Sequence, residues 1–194
     1  MNRRVRFPLL ATGFLGSALV ALYFLLPHEP SYEGKSLSDW LADIDIGNLQ
    51  SPEAADQAIR AMGSDALPWL RKMLCAEDPL WKRLVKTVNA RQSIVRIPFS
   101  PTSSSRYQAV LGYGALGPLA KTEVPSLIHI MEAESSPQVR ACVALALGGI
   151  GREAAPAIPV LARAAKEGDE TLRKNAASAL ANIQMWAPLE FHER

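Results

Sequence analysis

The chain has 194 residues, of which 48% are hydrophobic and 7% aromatic, and its formal charge is +2. This length allows one domain with a sizeable core, and the aliphatic composition favours packed helices over sheets. Three of the 21 basic residues, Arg3, Arg4 and Arg6, come before residue 27, which leaves 18 basic against 19 acidic residues in the rest of the chain. The folded part is therefore not basic, so nucleic acid is not an expected partner.

An uncharged run from Phe7 to Leu26 follows the three arginines. As a helix, a run of this length can cross a hydrocarbon core of about 30 Å. A cleaved secretory signal is the alternative, but no A-x-A site follows the run, so we expect residues 1–26 to be an uncleaved transmembrane anchor. Arginines before such a segment favour a cytoplasmic amino terminus. We therefore expect a single-pass membrane protein with residues 28–194 on the extracytoplasmic side.

Residues 27–35 contain two prolines and a glycine among polar residues, which predicts a linker. The repeat domain is predicted to occupy residues 36–194. Its first helix is expected to begin after Ser36, whose hydroxyl can cap the helix. The carboxylate of Asp39 then lies in the first turn, where it suits the helix dipole.

The most informative stretch of the chain is Val139 to Gly168, which reads as two short helices. The first has an apolar face at helical spacing. Gly148, Gly149 and Gly151 are predicted to interrupt it, because glycine ends helices by taking a left-handed conformation. Pro159 is placed where the second helix should begin. Neither helix is long enough to be stable alone, so the pair is expected to stack on neighbours.

This helical pair recurs along the chain. A shift of 34 residues toward the amino terminus places Gly117 on Gly151 and Pro125 on Pro159 without a gap. A forward shift of 33 residues repeats the apolar face from Arg173 onward, and AIRAMGSDALPWLRKML is a shorter, earlier copy. Two helices in every period of roughly 30 to 45 residues indicate an all-α fold, the α-solenoid.

The residues VRACVALALGGIGREAAPAIPVL resemble a HEAT repeat of the short bacterial type, first grouped with phycobilisome lyases. The resemblance covers roughly Ser51 to Ile183. Together with YEGKSLSDWLADI, the chain also resembles membrane-tethered HEAT-repeat proteins of verrucomicrobial type bacteria. The resemblance implies a solenoid of HEAT-like hairpins that binds partners, and it assigns no catalytic residue.

Basic residues accumulate between Asp78 and Glu123, an interval that contains no acidic residue. The candidate partner-binding basic patch consists of Lys82, Arg83, Lys86, Arg91 and Arg96. Such a patch would suit anionic lipid headgroups, a cell-wall polymer or an acidic protein. The alternative is a solvated helix face in which some arginines form hydrogen bonds between repeats. This structural role is favoured for Arg106, which shares a repeat position with Arg140 and Arg173.

No other motif predicts catalysis, a cofactor site or a metal site. The stretch Gly112–Gly117 spells G-x-G-x-x-G, but a dinucleotide site needs a strand before the motif, and here a helix is predicted. The three histidines stand at no spacing that suggests a triad or ligand set. Cys75 and Cys142 are interpreted as buried thiols on apolar helix faces rather than as a disulfide.

The carboxyl-terminal residues depart from the repeat pattern. Met185, Trp186, Leu189 and Phe191 are expected to cover the open end of the solenoid, because terminal repeats need a cap. The alternative is an exposed apolar patch for a partner or a second copy of the chain.

The sequence as a whole predicts a protein-interaction scaffold without catalytic activity. It would be tethered to the membrane and would bind a protein partner through exposed parts of its repeats, with self-association as a further expectation. The alternative is a lyase-like or enzyme-accessory protein that binds a cofactor or a modified substrate in the repeat groove. Several convergent polar groups in such a groove would favour that alternative.

Overall fold

The computed structural model describes residues 28–45, 52–76 and 102–185. The predicted anchor at residues 1–26 lies outside these ranges. Strands β1 (Ser31–Tyr32) and β2 (Lys35–Ser36) pair antiparallel within and just after the predicted linker. The two residues between the strands have positive φ values of 50° and 76°, as in a tight hairpin turn. Residues 31–36 therefore form a β-hairpin, which includes most of the predicted linker.

Helix α1 (Leu37–Asp45) begins immediately after this hairpin, with the predicted cap. The Ser36 hydroxyl oxygen accepts a hydrogen bond from the Asp39 backbone N–H at 3.3 Å, and the same hydroxyl donates to the Asp39 carboxylate at 2.6 Å. The Trp40 indole N–H donates to the carbonyl of Tyr32 at 3.2 Å. These contacts fix the hairpin to the start of the helical domain.

The rest of the described chain forms three helical hairpins and a final helix. The first helices of the hairpins and the final helix are α2 (Pro52–Met62), α4 (Thr102–Leu116), α6 (Pro137–Ile150) and α8 (Glu170–Met185). The second helices are α3 (Leu67–Leu74), α5 (Val124–Ala133) and α7 (Ile158–Glu167). Short 3-10 segments join them, namely Gly63–Ala66, Gly117–Glu123 and Gly151–Ala157.

The turn of each hairpin begins on a glycine in the left-handed region. Gly63, Gly117 and Gly151 have φ values of 54°, 51° and 76°, a conformation that side chains with a Cβ rarely adopt. A proline lies in the first turn of α3, α5 and α7, where its missing N–H costs nothing. The predicted alternation of turn glycine and helix-starting proline is therefore confirmed in all three hairpins.

The predicted interruption of α6 at Gly148 and Gly149 is wrong. Both glycines continue the helix, which ends only at Ile150. Their role is to permit close packing: a Cβ added to Gly148 would lie 2.9 Å from the Cα of Ala179, and one added to Gly149 would lie 3.0 Å from the Cα of Gly114. The backbone of α6 thus touches α8 on one side and α4 on the other.

The helices stack in layers, as the all-α solenoid prediction requires. Helix α6 packs between α4 and α8, and each second helix packs against the first helix of the next layer, so that α3 contacts α4, α5 contacts α6 and α7 contacts α8. Helix α1 packs on α2 and α4. The interior is apolar and fully buried, with Leu70, Leu127, Leu147 and Leu161 at 0% exposure. This arrangement is an α-solenoid.

One helical stretch in the described residues, 137–167, is long and apolar enough to pass as a membrane span. It comprises α6, a 3-10 segment and α7, and the left-handed turn at Gly151 divides it. Half of its apolar window is buried inside the domain. We therefore assign the stretch to the solenoid core.

Candidate functional site

The predicted basic patch, Lys82, Arg83, Lys86, Arg91 and Arg96, lies outside the described residues. The same holds for Trp186, Leu189 and Phe191 of the predicted carboxyl-terminal cap. Met185, the last residue described, is 72% exposed at the end of α8.

The three arginines that share a repeat position differ in their contacts. Arg106 donates from Nη2 and Nε to the carbonyl oxygen of Ala76, at 2.6 and 3.1 Å, and so ties α4 to the end of α3. The Nε atom of Arg140 is buried without a hydrogen-bond partner among the described residues, and Arg173 is exposed. The structural role predicted for this position is therefore confirmed for Arg106.

The glycine-rich stretch 112–117 lies within α4 and at its end, so no strand precedes it. Gly112 is buried, and a Cβ there would meet the Leu70 side chain at 2.5 Å. Gly117 begins the turn. The glycines therefore serve helix packing and the repeat turn, and the geometry is not that of a dinucleotide loop.

Three buried or half-buried side chains could in principle supply reactive groups. Cys75 and Cys142 are both free and half-buried. Burial raises the pKa of each thiol, assisted at Cys75 by the nearby charge of Glu134, so both stay protonated at neutral pH. The Tyr113 hydroxyl is buried without a hydrogen-bond partner among the described residues, and burial raises its pKa. None of these groups is activated as a nucleophile.

A groove of about 690 Å³ lies between the second and third turns. It lies where α4 and α6 end. Four of its lining residues are glycines, here called the glycine floor: Gly114, Gly117, Gly149 and Gly151. The side chains at its border include Arg60, Leu119, Arg152 and Glu153.

Two arginines and one glutamate provide the charges of this groove. The Nε atom of Arg60 donates to the carbonyl oxygen of Ala115 at 2.8 Å, which holds the guanidinium at the end of α4. Arg152 and Glu153 are exposed on the third turn. Neither arginine has an ion-pair partner in the ranges that the structure describes. The groove therefore offers guanidinium groups to a ligand and carries one net positive charge.

The turn geometry, the layered packing and the repeat spacing together point to one class of helical repeat. Residues 106–190 match the family model of HEAT repeats. The match begins in α4 and extends past α8, so it covers the second and third hairpins and the last helix. Comparison with curated proteins and with solved structures returned no match.

Ion pairs also join the helical hairpins to each other. Arg71 on α3 contacts Glu123 through Nη1 at 3.1 Å, and the same nitrogen lies 3.4 Å from the hydroxyl of Ser126. Arg163 on α7 contacts Glu132 on α5 at 3.0 Å. Each pair joins residues of two successive hairpins.

The groove between the second and third turns was not predicted from the sequence. A usable signal was present, because the 34-residue shift that aligns Gly117 with Gly151 also aligns Pro118 with Arg152 and Leu119 with Glu153. Residues at equivalent positions of stacked repeats lie side by side. The two positions after each turn glycine are therefore neighbours along one edge of the solenoid, and together they border a single site.

Proposed function

We propose that this protein is a non-catalytic interaction module that binds a protein partner through its HEAT repeats. Residues 1–26 would hold it in the membrane as a single-pass anchor, with the repeats on the extracytoplasmic side. The supporting observation is the stacked solenoid with an open groove between its second and third turns. HEAT repeats commonly serve as protein-interaction scaffolds, and residues 106–190 match that family.

A second candidate is an accessory protein of an enzyme, or a lyase-like protein, that binds a cofactor or modified substrate. The two arginines and the glutamate at the groove favour this candidate, because they are polar groups that converge on one concave site. Against it, the floor is glycine backbone and the thiols and phenol described above lie elsewhere. Binding of a protein partner therefore accounts for more features of the groove than binding of a cofactor or modified substrate does.

Cross-linking of the full-length protein in its native membranes tests the proposal. The membranes would be washed with alkaline carbonate, solubilised and subjected to affinity capture and mass spectrometry. We expect the protein to remain in the membrane fraction and to carry one cross-linked protein in comparable amount. A carbonate-released protein would contradict the anchor.

Recovery of the protein alone would contradict the scaffold role. It would favour the accessory-protein alternative, in which the groove binds a small ligand. Recovery of the protein cross-linked only to itself would show that self-association is the interaction that the repeats perform.

A further inference from the structure

We propose that the groove between the second and third turns binds an extended, acidic peptide segment of a partner protein, with an apolar side chain of that segment placed against Leu119. The inference rests on the proposed interaction function and names the site and the chemistry of the bound segment. Three features that meet at this one place support it: the open glycine floor, the exposed leucine, and two guanidinium groups that have no ion-pair partner among the described residues.

The floor of the groove is open because glycines leave it without side chains. A Cβ added to Gly114, Gly117 or Gly151 would meet no atom within 4 Å. The left-handed turn conformation explains two of these glycines, but Gly114 lies inside α4, where alanine would form a more stable helix. Neither packing nor backbone conformation accounts for a glycine at this position. Its effect is to keep backbone exposed to a ligand.

The charge of the groove favours a carboxylate ligand. The hydrogen bond from Arg60 to the carbonyl of Ala115 uses Nε and leaves the terminal nitrogens to bind another group. Arg152 adds a second guanidinium from the neighbouring turn. Arginine binds carboxylates through two parallel hydrogen bonds, and a side chain already held in place loses less entropy on binding. Glu153 offsets only one of the two positive charges.

The apolar part of the site indicates a peptide rather than a free anion. Leu119 is 54% exposed at the border of the groove. A small anion on the arginines would leave this leucine in water, whereas a peptide can place a carboxylate on the guanidinium groups and an apolar side chain on Leu119. A volume of about 690 Å³ is in the range of ligand sites and holds several residues of an extended chain.

Selection from a display library of random octapeptides on the full-length protein tests this inference. We expect the wild-type protein to enrich sequences that combine Asp or Glu with Leu, Ile or Phe. Two variants address the site: Gly114→Leu fills the floor, and Arg152→Glu reverses one charge. Arg173→Glu is the matched control, since it makes the same charge change on an exposed arginine of α8 away from the groove.

A synthetic peptide chosen from the enriched sequences is expected to bind the wild type and Arg173→Glu equally. Gly114→Leu should weaken binding by at least about tenfold, the loss that corresponds to one strong contact. Arg152→Glu should also lose the acidic peptide and should instead enrich sequences with Lys or Arg. Thermal unfolding of Gly114→Leu, where the added Cβ meets no atom within 4 Å, is expected to show no loss of stability.

Three results would overturn the inference. They are failure of the wild type to enrich any peptide class, enrichment of neutral or basic peptides, and equal binding by the wild type and both groove variants. A photo-cross-linker at position 119 that reacts only with residues 186–194 would likewise overturn it, because the groove would then belong to the chain's own tail. A partner captured from membranes equally by wild type and groove variants would leave the scaffold function standing while removing the groove from it.

Discussion

At the scale of single residues, the same repeat position serves different ends in successive layers. Arg106 donates two hydrogen bonds to a backbone carbonyl at the end of α3, where no helical partner is available to that oxygen. Arg173, which aligns with it in the last helix, is exposed. The repeat pattern therefore identifies the position, but the neighbouring layer determines whether the side chain stabilises the fold.

Replacement of Arg106 by Met should cost about 1–3 kcal/mol in the free energy of unfolding, because it removes two charge-assisted hydrogen bonds and leaves the Ala76 carbonyl without them. Replacement of Arg173 by Met is the control and should change stability by less than about 0.5 kcal/mol. Urea unfolding followed by circular dichroism measures both. Equal effects of the two substitutions would show that the contact with Ala76 contributes nothing to stability.

At the scale of helices, the close contact between α4 and α6 involves Gly114 and Gly149, and the two glycines have different surroundings. Gly149 has the backbone of α4 against it, with the Cα of Gly114 only 3.0 Å from the position of an added Cβ. The reverse does not hold, since a Cβ on Gly114 meets nothing within 4 Å. Two glycines in contact across one helix pair are therefore not equivalent.

Gly114→Ala should stabilise the protein by about 0.5–1 kcal/mol, because alanine is the better helix former and the site has room for a methyl group. The expected rise in Tm is about 1–4 °C for a domain of this size. Gly149→Ala should instead destabilise it by about 1–3 kcal/mol, since the two backbones must separate. Thermal unfolding by calorimetry distinguishes the two, and a loss of stability in Gly114→Ala would contradict the open floor.

Element identity could be predicted from the sequence, but the groove and the exact helix ends could not. The spacing of apolar residues and the recurrence of glycine and proline are enough to predict the three hairpins. Ser36 and Asp39 are enough to predict the cap of α1. Gly148 and Gly149 do not form a turn, because glycine also permits two helices to pack closely. Which of the two roles a glycine has depends on the partner helix, and the local sequence does not identify that helix. The groove likewise joins Arg60 from the first hairpin to residues about 60 and 90 positions further along the chain, a proximity that local pattern does not contain.

At the scale of the whole molecule, most of the packing in the described chain is between neighbouring layers, so stability is expected to vary along the solenoid. Helix α8 packs on α6 and α7, and α3 packs on α4, whereas the first and last layers share no direct packing surface of note. In such an array the free energy is close to a sum of repeat terms and nearest-neighbour terms. Damage at one end should therefore remain partly local.

Leu172→Ala tests this locality, because the leucine is 1% exposed in α8 and its truncation should cost about 2–5 kcal/mol. Amide hydrogen exchange read by mass spectrometry should show the greatest loss of protection in α7 and α8 and a smaller loss in α2 and α3. Leu70→Ala, at 0% exposure in α3, is the matched change at the other end and should give the reversed gradient. A uniform loss of protection across all helices in both variants would contradict this expectation. It would show that the coupling energy between neighbouring repeats exceeds the stability of the single repeats, so that the solenoid unfolds as one cooperative unit.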